Sequence, residues 1–264
     1  MIKVKDIFKY LNELAPTALK MDFDNVGLLV GNEDNEVSKI LVALDITEEV
    51  IDEAISMGAE LIVSHHPIIF EAMKSVLYSD LGGRKVIKLI KSDISAICMH
   101  TNLDIAVGGV NDALMSALGA VSDTYLEYTG TDCMGLKQGC GRIGELKQEM
   151  SMPEFMDKCK TSLYANGLRY HDAGLKVKKI AVMGGSGGSE LMLAKEAGCD
   201  TYVTSDIKYN SFLDAKALGI NLIDADHFCT ENVIVPVLCE KLRVRFPTCE
   251  IRVSEKHCQT ARFF

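Results

Sequence analysis

The stretch LIVSHHPIIF, residues 61–70, runs from an apolar segment straight into His65 and His66, with Pro67 next. A lone histidine beside a core strand is ordinarily a satisfied structural residue. Two in a row are harder to place that way, because each imidazole left unpaired in a dry site carries a desolvation cost. Two other apolar runs end in the same manner. ISAICM leads into His100, Asn102 and Asp104, and INLID leads into Asp226 and His227, with Glu231 four residues beyond His227. On a helix starting near His227, that spacing puts both side chains on one face, one turn apart. Imidazoles and carboxylates in such company are metal-ligand chemistry. Neutral imidazole suits zinc, iron, manganese or nickel, and a carboxylate can span two ions. His65, His66, Asp104, His227 and Glu231 are too few to close two sites, which leaves positions open for water. Water shared by two metals is a nucleophile at neutral pH. The HExxH signature of metalloproteases is absent, and a His/Glu pair at this spacing also arises by chance on surface helices.

A second conspicuous segment is VMGGSGGSELMLAKEAG, where a strand meets Gly184, Gly185, Ser186, Gly187 and Gly188 before a helix. Backbone N–H groups at such a junction can hold an anion, so Gly185, Ser186 and Gly187 are candidates for a phosphate. A tight strand-to-helix turn explains the loop equally well, because its spacing fits neither G-x-G-x-x-G nor a Walker A loop. Asp206, just after the strand in TYVTSDIKYN, either faces a cleft or caps the next helix. Asp22, Asp24 and Asn25 in MDFDNVG read as a turn or as part of a site. Cys229 lies two residues after His227, points elsewhere on a helix, and reads as packing.

The elements that must position these groups follow from the apolar pattern. An opening helix runs to about Ala15, before Pro16. NVGLLVG and SKILVALDIT read as strands, EEVIDEAISMGA as a helix capped by Gly58, and ELIVSHH as the next strand. Helix GGRKVIKLIKSD, strand ISAICM and helix GGVNDALMSALGA complete a β-α-β-α-β-α alternation, the pattern of a largely parallel sheet flanked by helices. If the strands are parallel, their polar ends share one edge of the sheet, where α/β proteins place ligands, or face each other across two lobes. The turn-rich residues 121–146 look like a passage between two lobes, with short strands in it. A helix then starts with Ser151 as N-cap and Pro153 in its first turn, and strands and helices alternate again to about residue 246. The expected fold is two similar α/β lobes, residues 1–125 and 126–264.

Composition narrows the class. With 48% hydrophobic and 25% charged residues, the chain has an ordinary globular balance. A net charge of −9 argues against nucleic acid and anionic membranes as partners. Nine cysteines, an odd number without a C-x-x-C pair, argue against a disulfide framework or zinc ribbon and for reduced thiols in the cytoplasm. They are Cys98, Cys133, Cys140, Cys159, Cys199, Cys229, Cys239, Cys249 and Cys258. No apolar run approaches the ~20 residues that span a membrane, and the first residues lack a secretory core.

Taken in order, DNVGLLVG, SHHPIIF, HTNLDIAVGGVNDAL, VMGGSGGSELMLAKEAGCDTYVTSDIKYN and LIDADHFCTENVIV resemble the Nif-three-like proteins, often named GTP cyclohydrolase 1 type 2 homologues. The resemblance runs from about residue 4 to about residue 255. It implies two intertwined α/β lobes, a dinuclear metal site and a ring-shaped homohexamer. By motif, His65, His66, Asp104, His227 and Glu231 would hold two divalent transition ions per chain, with Asp104 and Glu231 shared by both. His100 and Asp104 would serve catalysis, His100 in proton transfer. The implied reaction is hydrolysis of a nucleotide or related small molecule, as in opening the guanine ring of GTP. A metal-binding, metal-delivery or regulatory assembly without turnover is the alternative. The chain departs from the family pattern at Ser205 and Asp226, where glycine is common, and at Asn210, where histidine is common.

Overall fold

The computed structural model describes residues 1–131, 135 and 137–263, so Cys133 lies outside the described residues. In chain order the elements begin with α1 (Val4–Leu14), β1 (Gly27–Val30), β2 (Lys39–Ala43), α2 (Glu48–Met57) and β3 (Leu61–Ser64). Then come α3 (Leu81–Lys91), β4 (Ser95–Cys98), α4 (Thr101–Ile105), α5 (Val110–Ala117), β5 (Ala120–Thr124) and β6 (Glu127–Thr131). They continue with β7 (Lys137–Cys140), β8 (Arg142–Met150), α6 (Met152–Ser162), β9 (Arg169–His171), β10 (Val177–Val182) and α7 (Leu191–Glu196). The last are β11 (Thr201–Thr204), α8 (Tyr209–Leu218), β12 (Asn221–Asp224), α9 (His227–Glu231), α10 (Ile234–Arg245) and β13 (Glu250–Val253).

The chain forms two compact units, one of residues 1–106 and 235–258, the other of 107–234 and 259–264. These differ from lobes of 1–125 and 126–264 for a reason visible in the strand pairing. Residues 107–125 go with the second unit because β5 pairs with β8. Residues 235–258 go with the first because β13 pairs with β2.

The first unit is built on a five-stranded sheet in the order β1-β4-β3-β2-β13. All neighbours run parallel except β1, which is antiparallel to β4 at the edge. Strands β3 and β4 are buried at every residue, as expected of a sheet covered on both faces. Thr47 caps α2, its hydroxyl accepting from the Val50 amide, and Gly58 ends the helix in the left-handed conformation foreseen for it. Val50, Ile51 and Ala54 of α2 and Val86 and Leu89 of α3 pack into one core with Leu41, Ile62 and Ala96.

The second unit has a six-stranded sheet in the order β5-β8-β10-β11-β12-β9, beside a β6–β7 hairpin. Its centre, β10-β11-β12, is parallel, and the flanking pairs are antiparallel. Ser151 does cap α6, in a reciprocal capping box with Glu154 and with proline in the first turn. Phe155 and Cys159 of that helix are buried against Ile180, Val203 and Ile223. Arg142, almost fully buried on β8, makes a two-pronged contact with Asp112 of α5 at 2.8 and 3.0 Å and lies over the Tyr125 ring. Among the described residues, no helix is long and apolar enough to cross a membrane.

Candidate functional site

In the first unit the parallel register brings three strand ends together. Ala43 of β2 pairs with Ser64 of β3, and Ser64 with Cys98 of β4. Two further bonds extend that ladder, from the His66 amide to the Leu44 carbonyl and from the Met99 amide to the Ser64 carbonyl, both 2.9 Å. The residues that follow are therefore neighbours: Asp45 after β2, His65 and His66 after β3, and His100 after β4. The ring centroids of His65, His66 and His100 lie 5.0 to 5.7 Å apart. Their ligand atoms fall within 4.8 Å of one another, so these imidazoles could hold a metal ion.

Each of these rings is held at Nδ1. His65 Nδ1 is 2.8 Å from the Met99 carbonyl, His66 Nδ1 is 2.7 Å from Asp45 Oδ1, and His100 Nδ1 is 2.8 Å from Asp24 Oδ1. An oxygen partner at Nδ1 selects the tautomer with its proton there and leaves Nε2 as the ligand atom. Asp104, nearly buried on the short helix α4, has its Oδ1 3.7 Å from His65 Nε2. Asn102 turns away, its amide donating at 2.7 Å to the Ala15 carbonyl after α1. The backbone ahead of Asp45 is pinned too, because the Leu44 amide donates to His257 Nδ1 at 3.0 Å. Burial pushes the His257 pKa down, although the carboxylates of Asp45 and Glu53 work the other way.

Asp24 answers the question left by MDFDN. Besides His100, it accepts from the Thr101 amide at 2.9 Å and from the Thr101 hydroxyl, which clamps its loop to the start of α4. Burial works against its charge, but the bonds from His100 and Thr101 prevail and hold its carboxyl well below the usual range.

In the second unit, β10, β11 and β12 likewise end at one edge. After β12, Asp226 caps α9 by accepting from the Cys229 amide at 3.3 Å. His227 and Glu231 then share a helix face, His227 Nε2 lying 3.1 Å from Glu231 Oε2. His227 Nδ1 is 2.7 Å from Asp206 Oδ2, so Asp206 faces the histidine and does not cap the next helix, whose N-cap residue is Lys208 and which has no side-chain cap. Glu231 is almost fully buried.

The glycine loop lies against this pair. Gly185 has φ +65°, and a Cβ there would lie 2.2 Å from Glu231 Oε1 and 3.3 Å from His227 Cε1. Only glycine brings the backbone so near the carboxylate. Three amides of the loop are engaged inside the protein. Gly184 donates to Asn111 Oδ1 at 2.9 Å, Gly185 to Thr230 Oγ1 at 3.1 Å and Gly187 to Thr204 Oγ1 at 2.9 Å. Ser186 between them is exposed.

Two departures from the family pattern gain a physical account. Ser205 is fully buried, and its hydroxyl donates to the Gly185 carbonyl, steadying the loop. Asp226 sits at φ 70°, ψ 139°, a conformation that favours glycine, and its cap to α9 offsets part of the strain. Asn210 is exposed on α8, on the wall of a cavity of about 330 Å³ shared with Ser189 and Asp214. Cys229 packs in the core as expected, its thiol pushed up to about 12 by burial and by Asp226.

Asp45 escaped the sequence reading, although it ends β2 as the histidines end β3. Its signal was a carboxylate closing an apolar run in LVALDIT.

Fold and site together define an α/β protein with buried histidine and carboxylate groups able to hold metal. A family model, Duf34/NIF3 (NGG1p interacting factor 3), matches residues 2–260, and the chain belongs to that family. A Clostridium perfringens protein named GTP cyclohydrolase 1 type 2 homolog is 41% identical over 245 residues, covering 92% of each chain. A solved Bacillus cereus protein related to NIF3 superposes with a TM-score of 0.93 at 27% identity, covering both chains fully. A solved Staphylococcus aureus protein matches with a TM-score of 0.92 at 31% identity over 99% of each chain.

Proposed function

We propose that this protein is a metal-dependent hydrolase of a nucleotide or related small molecule, with GTP as the first candidate. The observation that carries the reading is the oxygen partner at Nδ1 of four histidines: Met99 for His65, Asp45 for His66, Asp24 for His100 and Asp206 for His227. Metal-ligating histidines are held in this way almost always. In this reading His65, His66, Asp104, His227 and Glu231 hold two divalent transition ions per chain. When bound, such ions supply Lewis acidity and lower the pKa of coordinated water. His100, oriented by Asp24, takes and returns protons at Nε2. Asp104 holds its carboxylate toward His65. The names borne by relatives support the choice of GTP. In the same reading, the chain assembles as a ring-shaped homohexamer in the cytoplasm.

The test is elemental analysis of protein prepared without a nickel column, followed by incubation of metal-loaded protein with GTP and assay of formate. Near two metals per chain, falling on His65→Ala or Glu231→Ala, with formate release abolished by Asp104→Asn, is the expected result. Bound metal without turnover of GTP or related nucleotides overturns the hydrolase reading. It would favour a metal-binding or regulatory protein, a reading to which Asn210 lends weight by replacing an imidazole common in the family.

A further inference from the structure

The chemistry above makes no use of two exposed phenyl rings in the first unit. Phe23 is 68% exposed and Phe70 47% exposed. Scattered exposed apolar residues need no explanation, but these two are neither scattered nor loose. Their ring centroids lie 6.3 Å apart in an edge-to-face arrangement. Phe70 in turn stands 6.0 Å from the His100 ring at 86°.

Both loops are fixed by polar bonds one residue from each ring. Asp24, next to Phe23, is bound to His100 and Thr101. Asn25 Nδ2 donates at 2.6 Å to the carbonyl of Ile69, next to Phe70, and so ties one loop to the other. Aromatic surface is thus held in water by a rigid frame, continuous with the imidazole read as the proton carrier.

We propose that Phe23 and Phe70 form a stacking platform for the planar heteroaromatic ring of the substrate, a purine or related base, beside His100. The proposal rests on the nucleotide reading above and names the part of the nucleotide these residues recognise. Aromatic faces take bases of any sequence because every base presents a π-face, and preformed rings lose little freedom on binding. A ring lying on Phe70 is within reach of the His100 edge, which brings the base to the histidines without help from the glycine loop. An anionic lipid surface is disfavoured by Asp22 beside Phe23 and by the net charge of −9.

The chain has no tryptophan, so Phe23→Trp supplies a single indole at the platform, whose emission is read apart from the tyrosines by excitation at the red edge of the band. Metal-loaded full-length F23W is titrated with guanosine and, as a control without a base, with ribose 5-phosphate. The expected result is quenching by guanosine alone. Phe23→Ala and Phe23→Leu should each weaken guanosine binding roughly ten-fold by calorimetry, with metal content unchanged. Emission indifferent to guanosine, or affinity unchanged in both variants, overturns the proposal. So does an indole in F23W already shielded from a soluble quencher in ligand-free protein, which would assign this face to a second copy of the chain. If GTP yields no formate while guanosine still quenches and the variants still bind weakly, the platform stands and only the hydrolase reading falls. Formate release unaffected by Phe23→Ala at low GTP has the opposite meaning.

Discussion

The two units present similar strand ends in different ways. In the first, three imidazoles lie beside a parallel sheet edge, and each is oriented from outside by an oxygen. In the second, one imidazole, 37% exposed, stands between Asp206 and Glu231. Its surroundings are held by unusual backbone, with Gly185, Asp206 and Asp226 all at positive φ. The family departures at Ser205, Asn210 and Asp226 all fall in this second unit. Hydrogen bonds at Nδ1 position the three imidazoles of the first unit, whereas in the second unusual backbone conformation adds to the single bond from Asp206. A change of residue can therefore be absorbed in the second unit as strain or as a new bond, while the first offers little latitude.

The contrast can be tested, starting with the largest effect. Asp45→Asn and Asp206→Asn remove the carboxylate behind His66 and behind His227. Each should weaken metal binding by about 10- to 100-fold, read by competition with a chromophoric chelator. A loss confined to Asp45→Asn would mean that the second unit does not depend on its outer carboxylate. Gly185→Ala comes next. Its Cβ would displace the Glu231 carboxylate, and its φ of +65° strains any side chain. Stability should fall by about 1–2 kcal/mol in denaturant, with metal content falling too. Retention of full metal would show that Glu231 can give way without cost.

The Asp24 carboxyl sets a pH dependence in the first unit. Burial alone would raise its pKa, but the bonds from His100 and Thr101 outweigh burial and depress it in the folded protein. Such a group adds stability above its unfolded pKa of about 4, and that stability is lost as pH falls toward the folded value. In metal-free protein, the stability gap between wild type and Asp24→Asn should be full at neutral pH and shrink below pH of about 4. A gap independent of pH would remove the charge from the explanation. The smallest effect is expected at Asp226→Gly. Relief of strain against loss of a cap should leave the variant more stable by up to about 1 kcal/mol. A destabilised variant would show that the cap outweighs the strain.

Much of this was legible in the sequence because strand ends are local. Apolar runs that stop at or near His65, His100 and His227 located the candidate groups, and the β-α alternation supplied a sheet edge in each unit to hold them. What the sequence left open was pairing across distance. MDFDN and TSDIK both contained carboxylates, but nothing local told Asp24 to face His100 or Asp206 to face His227. Asp45 passed unnoticed because its partner, His66, comes from the neighbouring strand. The glycine loop was ambiguous for a similar reason: Asn111, Thr204 and Thr230, which occupy its amides, come from distant segments. The antiparallel flanks of the second sheet and the return of β13 to the first were equally hidden, since both depend on which edge is left to fill.

That returning strand has a consequence for synthesis. Residues 250–253 lie in register with residues 39–42, although residues 43–249 separate them. A ribosome making this protein releases β2, β3 and β4 well before β13, with the outer edge of β2 unpaired until residues 250–253 emerge. An open edge of apolar strand invites pairing with other nascent chains. The unit begun first is thus not closed until residues 250–253 have been made, and its edge stays open to such pairing in the interval.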